Sequence, residues 1–145
     1  MPDTIDTLLL LALPASGKSE IRRYLEQLAP DVAAEDLHLG PTVQLDDYPY
    51  VHMMRRISQE LTDMGGDPVL FADGASSFAE PRDWGTLIRL LNEDYELLGG
   101  TPVRPQSAAI WLFDRFDRAR KAVGVSPALS MLPDQTRERL AAALE

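Results

Sequence analysis

Ala12-Leu13-Pro14-Ala15-Ser16-Gly17-Lys18-Ser19 is the stretch that decides how this chain reads. A phosphate-binding loop has Gly, four residues, then Gly-Lys-Ser or Gly-Lys-Thr. Gly17-Lys18-Ser19 supplies the second half intact, and Ala12 stands where the first glycine belongs. The run before it, Thr4 to Leu13, becomes continuously apolar and predicts a buried strand of the parallel type. The residues after it, Gly17 to Ala29, carry Ile21, Tyr24, Leu25 and Leu28 at steps of three and four, which predicts a helix that Pro30 ends.

That context has a chemical meaning. A helix N-terminus presents unpaired N–H groups and a partial positive charge, and a tight loop turning into it adds further inward donors. Pro14, Ala15, Ser16, Gly17, Lys18 and Ser19 would cradle phosphates. Lys18 would act as a mobile point charge on the β- and γ-phosphates, and the Ser19 hydroxyl would ligate Mg²⁺. A methyl group at Ala12 is tolerable if φ is negative there; at positive φ it costs about 1 kcal/mol.

Outward from the loop, Asp31 to Pro41 carries no clear pattern. Thr42 to Leu45 predicts a short second strand that stops at Asp46-Asp47. Tyr50 to Met64 predicts a helix with Val51, Met54, Ile57, Leu61 and Met64 inward, ended by Gly65-Gly66. Pro68 to Ala72 predicts a third strand, ending at Asp73. Glu80-Pro81 opens a third helix whose stripe is Trp84, Leu87, Ile88, Leu91, Tyr95 and Leu98, closed by Gly99-Gly100. Thr101 to Pro105 is a connection. Gln106 to Val123 is read as a helix in preference to a strand ending at Asp114, and Asp134 to Leu144 as a final helix. Strand and helix alternate three times, which implies a parallel sheet with crossover helices. The expected architecture is a three-layer α/β/α sandwich of a single domain over residues 1–145, with residues 101–145 mostly helical.

Leu13-Pro14-Ala15-Ser16-Gly17-Lys18-Ser19 resembles the loops of small-molecule and polynucleotide kinases in the P-loop kinase group. The resemblance implies a nucleoside triphosphate, ATP or GTP, with Mg²⁺, and transfer of a phosphoryl group to a small hydroxyl-bearing acceptor. The lack of an Asn-Lys-x-Asp base-reading motif favours ATP. Asp46-Asp47-Tyr48 resembles the acid-acid-aromatic step of uridine-kinase-like and phosphoribulokinase-like enzymes, where the first acid takes the acceptor's proton. That role falls on Asp46, with Asp47 beside it. Val69-Leu70-Phe71-Ala72-Asp73 has the shape of an apolar strand ending in a metal-holding acid, so Asp73 is the expected partner of Ser19 on Mg²⁺. The plain alternative for all three acids is turn chemistry.

Arg115, Arg118, Arg120 and Lys121 resemble lid arginines, but they alternate with Asp114 and Asp117, which favours a solvated helix face. Arg55 and Arg56 follow the acid pair, and either could face an anionic acceptor. Trp84 and Trp111 sit on apolar stripes and read as core.

Composition narrows the classes. The chain has 145 residues, 45% hydrophobic and 26% charged, which suits a globular core. A net charge of -9 without a basic stripe argues against long nucleic acid as a partner. No apolar run is long enough to span a bilayer, and the absence of cysteine fits a reducing, cytoplasmic setting. Two alternatives to a kinase stand beside it: a nucleotide-binding switch without chemistry, and the N-terminal part of a longer kinase, since three strands are few for such a fold.

Overall fold

Tyr50, Met54, Ile57 and Leu61 recur at helical steps, and all four are buried on one face of a helix spanning Tyr48–Asp63. In a computed structural model of the chain, this helix is one of six among the described residues: α1 Lys18–Gln27, α2 Pro30–Asp36, α3 Tyr48–Asp63, α4 Asp83–Glu96, α5 Ala108–Ala122 and α6 Asp134–Leu144. The structure describes residues 4, 5, 8, 17–40, 45–72, 77–98, 100 and 103–145. The chain divides into two compact units, Met1–Gln44 and Leu45–Glu145.

The second unit holds the core. Helix α4 packs on α5, and α6 packs on both α3 and α5. Met54, Ile57, Leu87, Leu90, Phe113, Phe116, Leu129 and Leu140 fill the space between them. Ser107 starts α5 by accepting the Ile110 N–H on its hydroxyl at 3.1 Å, an N-cap bond. Gly65 ends α3 at φ 83, a left-handed turn that glycine adopts without steric cost, and the Gly66 N–H returns to the Leu61 carbonyl at 2.9 Å.

The parallel-sheet α/β sandwich expected from the sequence is not what forms. The described residues are all-helical and contain no strand; their one β-bridge joins Phe71 to Phe78 in antiparallel sense. Of the three expected strands, only Pro68 to Ala72 lies wholly within the described residues. It turns back on itself, with Ala72 N–H bonded to the Ser77 carbonyl at 3.1 Å and Ala79 N–H to the Leu70 carbonyl at 3.0 Å. The Leu70 and Phe71 N–H groups both end on the Ser58 hydroxyl, at 3.1 and 2.9 Å. One side-chain oxygen on α3 thus takes two successive donors that a central strand would send to neighbours on opposite sides, and Pro68 has no N–H to give. Leu70 and Phe71 are buried against the helices as an irregular segment. A short apolar run fits either outcome, because periodicity alone does not separate them. Of the other two expected strands, only Thr4, Ile5, Leu8 and Leu45 are among the described residues.

The first unit is built differently. Pro30 does not simply end a helix; it opens α2 at its first position, where a missing N–H costs nothing. The Leu39 N–H reaches back to the Ala33 carbonyl at 2.8 Å, and the Ile5 N–H bonds to the His38 carbonyl at 2.7 Å. Neither α1 nor α2 contains a buried residue.

Among the described residues, no helix is long and apolar enough to cross a membrane.

Candidate functional site

Gly17 sits at φ 87, ψ 14, in the left-handed region, and Lys18 begins α1 directly after it. A left-handed residue followed by a right-handed one turns successive backbone N–H groups toward the same side, making a small anion-binding concavity. The Glu20 and Ile21 N–H groups fold back on the Gly17 carbonyl, at 3.0 and 3.1 Å, and the helix has no side-chain cap. The Ser19 N–H therefore lies in the first turn, where helix geometry supplies no acceptor. Lys18 is half-buried and Ser19 exposed. Space is not what demands glycine at position 17, since a Cβ built there meets nothing within 4 Å. The positive φ demands it.

The local field has two sides. The α1 dipole and Lys18 favour an anion. Glu20 in the first turn opposes one, but its carboxylate accepts from Arg23 at 3.1 Å on the exposed face of the helix. Pro14, Ala15 and Ser16 of the predicted loop lie outside the described residues, as does Asp73.

Asp46 and Asp47 belong to the second unit, ahead of α3, and both are exposed. Asp46 accepts the Tyr48 N–H on Oδ1 at 3.0 Å, the bond of a turn that starts a helix. Asp47 occupies the N-cap position of α3 with no side-chain cap bond. Tyr48 stacks on His52, with ring centroids 5.8 Å apart. The parallel sheet was to bring these acids and the loop into one crevice. With that sheet overturned, the sequence argument that joined them no longer applies. No three acids or histidines converge among the described residues in a way that could hold a metal ion.

The basic cluster of α5 departs from the expected solvated face. Arg118 and Lys121 are exposed, but Arg115 is only 4% exposed, and Arg120 and Asp117 are buried. The Arg115 guanidinium donates to Glu93 at 3.2 Å, to Asp94 at 2.8 Å and to the Tyr50 hydroxyl at 2.9 Å. Tyr50 donates in turn to Asp94. Burial first, and then the bond to Asp94, push the Tyr50 hydroxyl up to about 12, with Arg115 pulling the other way. Arg120 pairs with the fully buried Asp83 at 3.4 Å. Burial holds the Asp83 carboxyl above its usual range, opposed by Arg120 and by the Thr86 hydroxyl at 2.9 Å. Asp117 accepts three backbone N–H groups, from Ala128, Leu129 and Ser130, at 2.8, 3.1 and 2.6 Å. These groups are committed to tying α3, α4 and α5 and the chain after α5 together, so Arg115 and Arg120 do not serve as lid arginines.

Sequence reasoning missed this network. The acids opposite Arg115 lie on another helix, 21 and 22 positions away, whereas charge alternation reports only neighbours on the same helix. The signal that could have found it is the placement of Arg115 beside Phe113 and Phe116, on the inward side of α5.

No protein-family model matches this chain, and no curated protein and no solved structure matches it either.

Proposed function

We propose that the chain binds the phosphates of a nucleoside triphosphate, ATP before GTP, at Gly17-Lys18-Ser19. The observation that carries the proposal is the left-handed Gly17 immediately ahead of an uncapped helix. Glycine is required there by the backbone angle, and Lys18 and Ser19 follow in the first turn with the chemistry that a phosphate chain and its metal need. The Ser19 hydroxyl would ligate Mg²⁺, which would supply charge neutralisation along the phosphates. The support is local to one helix end and does not depend on a sheet.

Phosphoryl transfer to a small hydroxyl-bearing acceptor is the fuller version of the same proposal. It is supported by the resemblance of Leu13–Ser19 to kinase loops and by that of Asp46-Asp47-Tyr48 to the acid-acid-aromatic step. The binding statement stands without it.

Isothermal titration calorimetry with Mg-ATP and Mg-GTP tests the grip. Wild type is expected to bind Mg-ATP, and Lys18→Ala to bind at least about tenfold more weakly, the loss of one charge-assisted contact. No heat with wild type refutes the proposal. ATP turnover that rises with one member of a panel of hydroxyl-bearing metabolites, and disappears in Asp46→Asn, distinguishes transfer from binding alone.

A further inference from the structure

The second unit holds a cleft of about 240 Å³ between α3, the bridged residues Phe71 and Phe78, and the start of α4. Its walls are aromatic. Phe71 and Phe78 lie with ring centroids 4.6 Å apart, and Trp84 meets Phe78 edge-on at 5.3 Å. Val51 and Pro81 complete the apolar lining. Trp84 was expected in the core, yet it is 62% exposed at this cleft.

Among the described residues, Arg55 is the one charged group in the lining. Its guanidinium lies 5.1 Å from the centroid of the Phe71 ring, in cation–π contact. The other arginines near it on α3 and α4 have acids one turn along: Arg56 pairs with Glu60 and Arg89 with Glu93. One turn from Arg55 stand Val51 and Gln59, neither of them acidic. On a chain of net charge -9, an exposed guanidinium held on a ring, with no carboxylate within ion-pair distance among the described residues, is an unusual placement.

We propose that this cleft binds a small aromatic carboxylate, its ring against Trp84 and Phe78 and its carboxylate on Arg55. Size selects the class. Sites for drug-sized ligands measure about 300–1,000 Å³, so a cleft of about 240 Å³ takes a single ring with a short acidic arm rather than a nucleotide. Chemistry selects the charge. The rings offer stacking and edge contacts to another ring, and the guanidinium offers a two-pronged donor that matches a carboxylate. The inference does not rest on the nucleotide reading, because every residue it uses lies in the second unit.

Nitrogen-15 NMR of the full chain titrated with phenylacetate is the test, with phenylacetamide as the neutral isostere and acetate as the ringless anion. The indole N–H of Trp84, identified by its loss in Trp84→Phe, is the reporter. Phenylacetate is expected to shift it saturably, phenylacetamide to bind about tenfold more weakly, and acetate to leave it unmoved. Arg55→Gln, at an exposed position, is expected to erase the difference between acid and amide while leaving the dispersion of the spectrum unchanged. Equal binding of acid and amide by wild type, an acid preference that survives Arg55→Gln, or no shift with phenylacetate overturns the proposal.

Discussion

Helices α1 and α3 have the same kind of apolar stripe and opposite fates. On α3, Met54, Ile57 and Leu61 are buried. On α1, Ile21 and Tyr24 remain 49% and 61% exposed, and no residue of the helix is buried. The difference lies in partners rather than pattern. The α3 stripe meets α6 and the aromatic core of α5, so each buried side chain is surrounded by others. An amphipathic period states that a helix has a face to bury; it does not supply the surface that buries it. The phosphate-loop motif lies in the unit without a buried helix face, and the core lies in the unit without the motif.

Substitutions can break this comparison. Phe116 is fully buried and meets the Tyr50 ring edge-on at 6.2 Å, so Phe116→Ala is expected to cost about 3–5 kcal/mol in urea unfolding of the second unit. Tyr50→Phe is the next largest. It removes the donor to Asp94 and an acceptor of Arg115, and is expected to cost roughly 1–3 kcal/mol at neutral pH. It also carries a pH signature. The folded hydroxyl is pushed up to about 12 from its ordinary value of 10.0, so the folded state holds the proton more tightly. That contribution is complete below pH 10 and is lost as pH rises through 12. Wild type is therefore expected to lose stability across that window, and Tyr50→Phe to lose less, measured by circular dichroism melts at stepped pH. The smallest effect belongs to α1: Ile21→Ala is expected to stay within about 0.5 kcal/mol by the same urea assay, as for an exposed site. A large cost there would mean that the α1 stripe is buried in solution and would remove the contrast between the two units.

The helices were legible and the sheet was not. Tyr50 to Met64, Gln106 to Val123 and Asp134 to Leu144 were each read close to the observed α3, α5 and α6, because those patterns run for several turns and end at glycine or at a polar break. The α4 stripe is in the right place, but only its Leu87 and Leu91 edge faces the core. Leu87 is buried, together with Asp83, Thr86 and Leu90, while Trp84, Ile88, Tyr95 and Leu98 are exposed. A stripe that wide has two edges, and the sequence does not say which one meets α5. Val69-Leu70-Phe71-Ala72 looked like a strand because nothing in its composition reveals Ser58, eleven or more positions earlier and on another element. At the candidate site, Gly17-Lys18-Ser19 is a sequence motif, and Gly17 takes a left-handed conformation that glycine adopts without steric cost. Arg55 drew attention only as a charge near Asp46; its seat on Phe71 depends on a tertiary contact that spacing does not encode.

The Ser58 hydroxyl has a consequence beyond the native state. Val69 to Ala72 is four apolar residues rich in strand formers, the composition that pairs readily with a copy of itself. By accepting the Leu70 and Phe71 N–H groups, Ser58 occupies the donors through which such pairing would begin. Loss of that one oxygen would leave a buried segment with two donors in search of acceptors, and the carbonyls of a neighbouring chain could satisfy them. Ser58 thus satisfies, from a helix, two backbone donors that lie 12 and 13 positions further along the chain.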